Sequence, residues 1–248
     1  MRIFLIACVV LLALREAAVD AATVRACSHA QQTGAGLNLS DAVKSAYQID
    51  FECPAGTVIR VDRPLDLSRD IRIDGRGMVT LDAGRSGRVF IGRAAARRVE
   101  LVGLKITYAN RPPNALYTAA SAVDVPGELE LRNVEVLGSD APVKAQTVKV
   151  IDSRFAFNSG VVIRASTLRM SGAKVVFEDN TGAPFSLHEA SEVGTADIAS
   201  VEFLRNGDHS TWAGTLRIVD SVFIGNRTTG DGGALHVAGN LTIEGSRF

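Results

Sequence analysis

Asp208, His209 and Asp231 fall within 24 residues of one another, with His236 five positions further on. Two carboxylates held within a few ångströms can divide the labour of hydrolysis, one acting as acid and the other as base. The same residues also suit turns. Asp208 follows Gly207, and Asp231 stands between Gly230 and Gly232, where an aspartate side chain bonds its own backbone. The turn reading is the stronger, so Asp208, His209 and Asp231 are kept as the catalytic alternative and no catalytic site is expected.

Two further groups could bind. Arg85, Arg88, Arg93, Arg97 and Arg98 concentrate positive charge between Asp82 and Glu100. Arginines on one strand face could grip sulfated or uronic-acid glycans through paired hydrogen bonds, although charge on a turn or edge also guards against aggregation. Asp62, Asp66, Asp70, Asp74 and Asp82 alternate with Arg60, Arg63, Arg69, Arg72 and Arg76, a pattern of a solvated face more than of a calcium site. Trp212, the sole tryptophan, is placed opposite Val237 by a 25-residue offset. It and His188 could each be a binding residue or packing.

Cys27 and Cys53 remain once the first residues are set aside, and an even pair in an exported chain is read as a disulfide. Two cysteines alone make no metal site, and neither a metal nor any other cofactor is expected. The formal charge is zero, 27 basic against 27 acidic residues, so no global field attracts a nucleic acid. None is expected as a partner.

The chain that positions these residues begins with Met1 and Arg2, an uncharged apolar run from Ile3 to Leu14, and small residues up to Ala22. That is the layout of a secretory signal peptide over residues 1–22, cut after Ala21 or Ala22. The run is short for a membrane span, which needs about 20 residues, and no transmembrane segment is expected after it. Residues 23–56 are read as an N-terminal cap, with a short helix in which Val43, Ala46 and Tyr47 share a face and Ser40 is the N-cap.

From residue 57 to 248, short runs of alternating polarity follow one another between Gly, Asp, Asn and Pro breaks. The breaks are too short to carry crossover helices. Gly233–Phe248 overlays Ser121–Val136 without a gap, matching small, aliphatic, glycine and charged positions. One aliphatic per repeat recurs at Ile73, Leu101, Leu131, Val150, Met170, Ile198, Ile218 and Ile243, at intervals of 28, 30, 19, 20, 28, 20 and 25 residues. Variable but bounded spacing suits coils whose strands keep register while their turns accept insertions.

A second marker follows the first. Phe155, Phe203, Phe223 and Phe248 come five residues after the repeat aliphatic, Phe177 comes seven after it, and Ile106 and Val136 hold the position in earlier coils. Stacked coils would form one interior column of these side chains, with rungs about 4.8 Å apart. Three residues after four of the phenylalanines stand Asn158, Asn180, Asn206 and Asn226. Asparagine tolerates a left-handed turn, and equivalent amides can bond up the stack.

The Phe-x-x-Asn signal, with Gly232-Gly233-Ala234-Leu235, resembles the repeat of the chlamydial polymorphic outer membrane proteins and of other secreted bacterial right-handed parallel β-helix proteins. The first half occurs four times, the second once in full. The cysteine followed by LSDAVKSA, then FECPAGTVIRV, DIRIDGRGMVTLDAG, RVFIG and VELVGLKIT, is similar to the cap and first coils of large exported β-helix proteins. The resemblance implies a secreted or surface protein, often adhesive, and implies no catalytic site. The Asn-Thr-Asp, Asp-Asp, Gly-His-Gly and Arg-Ile-Lys set of polygalacturonase-like enzymes has no counterpart, since Arg217-Ile218 is followed by Val219.

The expected fold is all-β, a single-stranded right-handed parallel β-helix of the pectate-lyase-like kind with about eight coils and a short capping helix. The expected function is an exported structural or adhesin-like interaction protein of the bacterial envelope or extracellular space. A carbohydrate-active lyase or glycoside hydrolase is the alternative. Its partner would be a cell-surface protein or glycan. Phe248 stands where an asparagine should follow three residues on, so the last coil reads as incomplete, and its uncapped end as a place for self-association.

Overall fold

The computed structural model describes residues 19–31, 33, 36–84, 87–107, 121–189, 192–207, 211–227 and 234–248. Among these, one α-helix, Leu39–Ser45, stands beside short β-strands whose inward residues alternate with outward ones. Apart from the antiparallel pair His188–Glu189 with Glu192–Val193, the strands pair in parallel from one repeat to the next. Parallel neighbours cannot be joined by a tight turn. Here the connection is the rest of the coil, which forms two more faces before returning. The chain is therefore a parallel β-solenoid.

Three faces are built this way. The aliphatic face carries the column Ile49, Ile73, Leu101, Leu131, Val150, Met170, Ile198, Ile218 and Ile243, each the register partner of the next. The phenylalanine face carries Ile59, Leu81, Ile106, Val136, Phe155, Phe177, Phe203 and Phe223 in the same sense. Phe248 stacks on Phe223 at 4.6 Å between ring centroids. The third face holds Leu65–Leu67, Phe90–Gly92, residues 123–125, residues 143–145, Ile163–Arg164, Phe185–Ser186, Thr211–Ala213 and Leu235–Val237, one strand for each of eight turns.

The inward columns meet in one continuous core. Phe155, Phe177 and Phe203 stack with centroids 4.8 and 5.2 Å apart. Burial of each ring contributes about 3 kcal/mol, and each ring pair adds roughly 1 kcal/mol.

The corners differ from expectation in one respect. Between the phenylalanine and third faces the left-handed residues are Gly138, Phe157, Asp179, Arg205 and Gly225, each one position before Ser139, Asn158, Asn180, Asn206 or Asn226. The asparagines themselves keep ordinary φ and turn their side chains inward, where Asn158, Asn180 and Asn206 are buried. Their role is the amide ladder and not the turn.

The start of the chain also departs from the reading. The helix is capped by Asn38, whose side chain accepts from the Asp41 backbone N–H at 2.9 Å, and Ser40 lies inside it. Ala46 and Tyr47 belong instead to the strand Ala46–Phe51. An earlier strand, Val19–Val24, pairs with it, so regular coil geometry begins before residue 57 and overlaps the expected leader. The helix buries Leu39, Ala42 and Val43 against Val19–Val24, Ala46–Phe51 and Leu65–Leu67. Cys27 and Cys53 form a disulfide with Cα atoms 5.7 Å apart. No helix among the described residues is long and apolar enough to cross a membrane.

Candidate functional site

The solenoid spends its aliphatic and aromatic side chains on the core, so recognition falls to the outward positions, which register sets in rows. On the aliphatic face one outward row runs Arg72, Glu100, Glu130, Lys149, Arg169, Asp197 and Arg217. A parallel row runs Arg98, Glu128, Thr147, Thr167, Thr195 and Thr215. On the third face a row runs Asp66, Ile91, Asp124, Lys144, Arg164 and Ser186, and the backbone register continues through position 212 to His236.

Ion pairs cross-link much of this surface. Arg72 bridges Glu100 and Asp74. Burial lowers the Arg72 pKa, but the hydrogen bonds to Glu100 and Asp74 outweigh it and leave the guanidinium above its ordinary value. Lys149 donates to Glu128 at 2.7 Å. That bond holds the Glu128 carboxyl below the usual carboxylate range; partial burial opposes it, and charge on Lys149, Arg98 and Arg169 assists. At the phenylalanine corner Arg205 reaches both oxygens of Asp179, at 2.8 and 2.7 Å, and lowers its pKa.

The arginine strip singled out from the sequence is largely engaged in this way. Arg93 pairs with Asp66 at 2.8 Å, Arg88 with Asp124 at 4.0 Å, and Arg98 with Glu128 and Glu130 at 3.8 and 4.0 Å. Arg97 lines a groove of about 370 Å³ with Pro126, Gly127, Glu128, Gln146 and Thr147. Arg85 lies outside the described residues. The acidic scatter is likewise used internally: Asp62 pairs with Arg60, and Asp70 accepts from the Arg97 and Arg98 backbone N–H groups.

Asp208, His209 and Asp231 lie outside the described residues. Trp212 pairs in register with His236, while Ala213 faces Val237. The offset in this strand is 24 residues, one fewer than in the aliphatic column, because the corner that follows holds three residues at 238–240 where the preceding coil has two at 214–215. His188 lies in the short antiparallel pair His188–Glu189 with Glu192–Val193.

The structure also brings together residues that the sequence reading passed over. Lys144 is the register partner of Arg164, and Lys149 is the register partner of Arg169. The two cation pairs flank one corner, between the third and aliphatic faces, on consecutive coils. The signal was present in the sequence, since 144 to 164 and 149 to 169 share the 20-residue interval that links Val150 to Met170. Comparison with protein families finds no family model that matches this chain, and comparison with curated proteins finds no match.

Proposed function

We propose that this chain is an exported structural or interaction protein of the bacterial envelope or extracellular space, a right-handed β-helix that displays its outward rows to a partner. The helix Leu39–Ser45 is read as the cover of the first coils, residues 1–22 as the leader, and Phe-x-x-Asn as a repeat of the polymorphic outer membrane protein kind. The observation that carries the reading is the continuity of the outward rows: seven charged positions from Arg72 to Arg217 on one face, all at the surface except the buried Glu130, held at fixed spacing by the in-register core. A rigid flat array suits recognition of an extended surface. The Cys27–Cys53 disulfide supports an oxidising compartment.

The test has two arms. The chain is expressed with residues 1–22 in a bacterial host and its location followed by fractionation, and the purified protein is assayed for saturable binding to intact cells and envelope fractions. Export with saturable binding is expected. Retention in the cytoplasm overturns the export claim. Release of reducing or unsaturated sugar from acidic polysaccharides, abolished by Asp231→Ala, would replace this reading with the enzymatic one.

A further inference from the structure

Like charges in register on adjacent strands oppose sheet formation, so a chain under no other demand separates them with a neutral or acidic residue. Asp197 does this between Arg169 and Arg217, and where the like-charged Glu100 and Glu130 do stand in register, arginines compensate them, Arg72 at Glu100 and Arg98 and Arg132 at Glu130. The corner of residues 143–149 and 163–169 breaks the pattern twice, with Lys144 against Arg164 and Lys149 against Arg169. Lys144, Arg164 and Arg169 are exposed and Lys149 half-buried. Lys149 is engaged by the carboxylate of Glu128 at 2.7 Å. Neither Arg164 nor Arg169 has an ion pair with a described residue, and the flanking Asp124 and Asp197 are within ion-pair distance of Arg88 and Arg217.

Between the two cation pairs the outward side chains are polar and short. Gln146 is exposed, and Thr147 and Thr167 are half-buried register partners. The surface is thus a polar saddle with two cations on either side, and the rungs repeat at about 4.8 Å along the stack. A guanidinium offers a planar fork matched to a sulfate or carboxylate, and the hydroxyls of Thr147 and Thr167 are suited to neutral sugar oxygens.

We propose that this corner binds a linear anionic polysaccharide, sulfated or uronate-bearing, laid along the stack, with Arg164 and Arg169 as the principal contacts and Lys144 and Lys149 assisting. The inference rests on the reading of the chain as an exported interaction protein and moves its ligand site away from Arg88, Arg93 and Arg98, whose charges are already matched. Polysaccharide is favoured over nucleic acid because the charge is confined to one corner of a chain with zero net charge, and because the disulfide fits an extracellular setting.

The test is equilibrium binding of the full-length exported protein to dextran sulfate, polygalacturonate and duplex DNA at low and physiological salt. Dextran sulfate or polygalacturonate is expected to bind, more weakly as salt rises. The double variant R164Q/R169Q is expected to lose about tenfold or more in affinity for each arginine replaced. R164K/R169K should recover part of that loss, and R93Q/R98Q should bind as the parent does. Circular dichroism melting of every variant separates lost binding from lost fold; R164Q/R169Q should melt no lower than the parent, because it relieves repulsion. Equal binding by R164Q/R169Q overturns the site, as does loss confined to R93Q/R98Q. Duplex DNA bound as tightly as either polysaccharide overturns the ligand class. Failure of both polysaccharides to bind overturns the proposal alone, because the cell and envelope assay above tests the broader reading without these polymers.

Discussion

Asn180 donates from Nδ2 to Oδ1 of Asn206 at 2.8 Å, and the same oxygen accepts the Asn180 backbone N–H at 3.3 Å. Asn158 repeats both contacts onto Asn180, at 2.9 and 3.0 Å. The second amide hydrogen of Asn180 goes to the Phe155 carbonyl at 3.0 Å. Every donor and acceptor of this buried amide is thereby satisfied. Asn180→Ala strands two donors of Asn158 in the core, and the expected cost is about 3 kcal/mol in urea unfolding. Ser139 gives the contrast, since its buried Oγ has no partner among the described residues. Ser139→Ala is expected to leave stability unchanged or raise it by about 1 kcal/mol.

Phe157 and Phe177 are one coil apart and oppositely placed. Phe177 is fully buried between Phe155 and Phe203, whereas Phe157 is 61% exposed and has φ of 57°. Phe177→Ala should cost about 4 kcal/mol through lost transfer energy and a cavity. Phe157→Gly should be neutral or stabilising by about 1 kcal/mol, because glycine removes the left-handed strain. Thermal unfolding of the two variants checks the ordering, and equal destabilisation would contradict it.

Glu128 links stability to pH through Lys149. Its folded pKa is depressed, so its contribution is fully present above the unfolded value of about 4.3 and is lost as pH falls through the folded value. Lys149→Gln removes the leading cause of the depression. The parent should therefore lose more stability than K149Q between about pH 5 and pH 3. Chemical denaturation across that range reads the difference directly, and parallel curves would count against the assignment.

Much of this fold is legible because core columns obey simple arithmetic. Val150 to Phe155 and Ile198 to Phe203 are five residues apart, and that spacing places one side chain on each of two neighbouring faces. Phe177 shows why a spacing of seven still stacks: the corner at Gly172 takes the two extra residues, and the strand pairs with Phe155 regardless. The corners were less legible. The left-handed residue before Ser139 and before each ladder asparagine carries no fixed type, being glycine at 138 and 225, Phe157, Asp179 or Arg205. The strand Val19–Val24 was concealed by its similarity to the end of a leader. The cation pairs at 144, 149, 164 and 169 were missed because clustering along the chain drew notice to Arg85–Arg98, whereas register, and not proximity in sequence, sets neighbours on a solenoid.

Gly182 and Gly77 separate two reasons for a glycine. Gly182 has no left-handed φ, but a Cβ there would sit 1.7 Å from the Gly160 carbonyl oxygen on the adjacent coil. Thr181 donates its backbone N–H to the Asn158 carbonyl at 2.8 Å beside it, so the two coils cannot part without breaking a rung. Gly77 has φ of +70° and open space where a Cβ would be. Gly182→Ala should cost about 3 kcal/mol by overpacking, and Gly77→Ala about 1 kcal/mol by conformation alone. Asparagine tells the two apart. Gly77→Asn should be milder than Gly77→Ala, because asparagine tolerates the left-handed region, whereas Gly182→Asn should be worse than Gly182→Ala, because more atoms meet the same carbonyl. Urea midpoints of the four variants decide it: an asparagine that rescues position 182 would show that conformation, not contact between coils, requires glycine there.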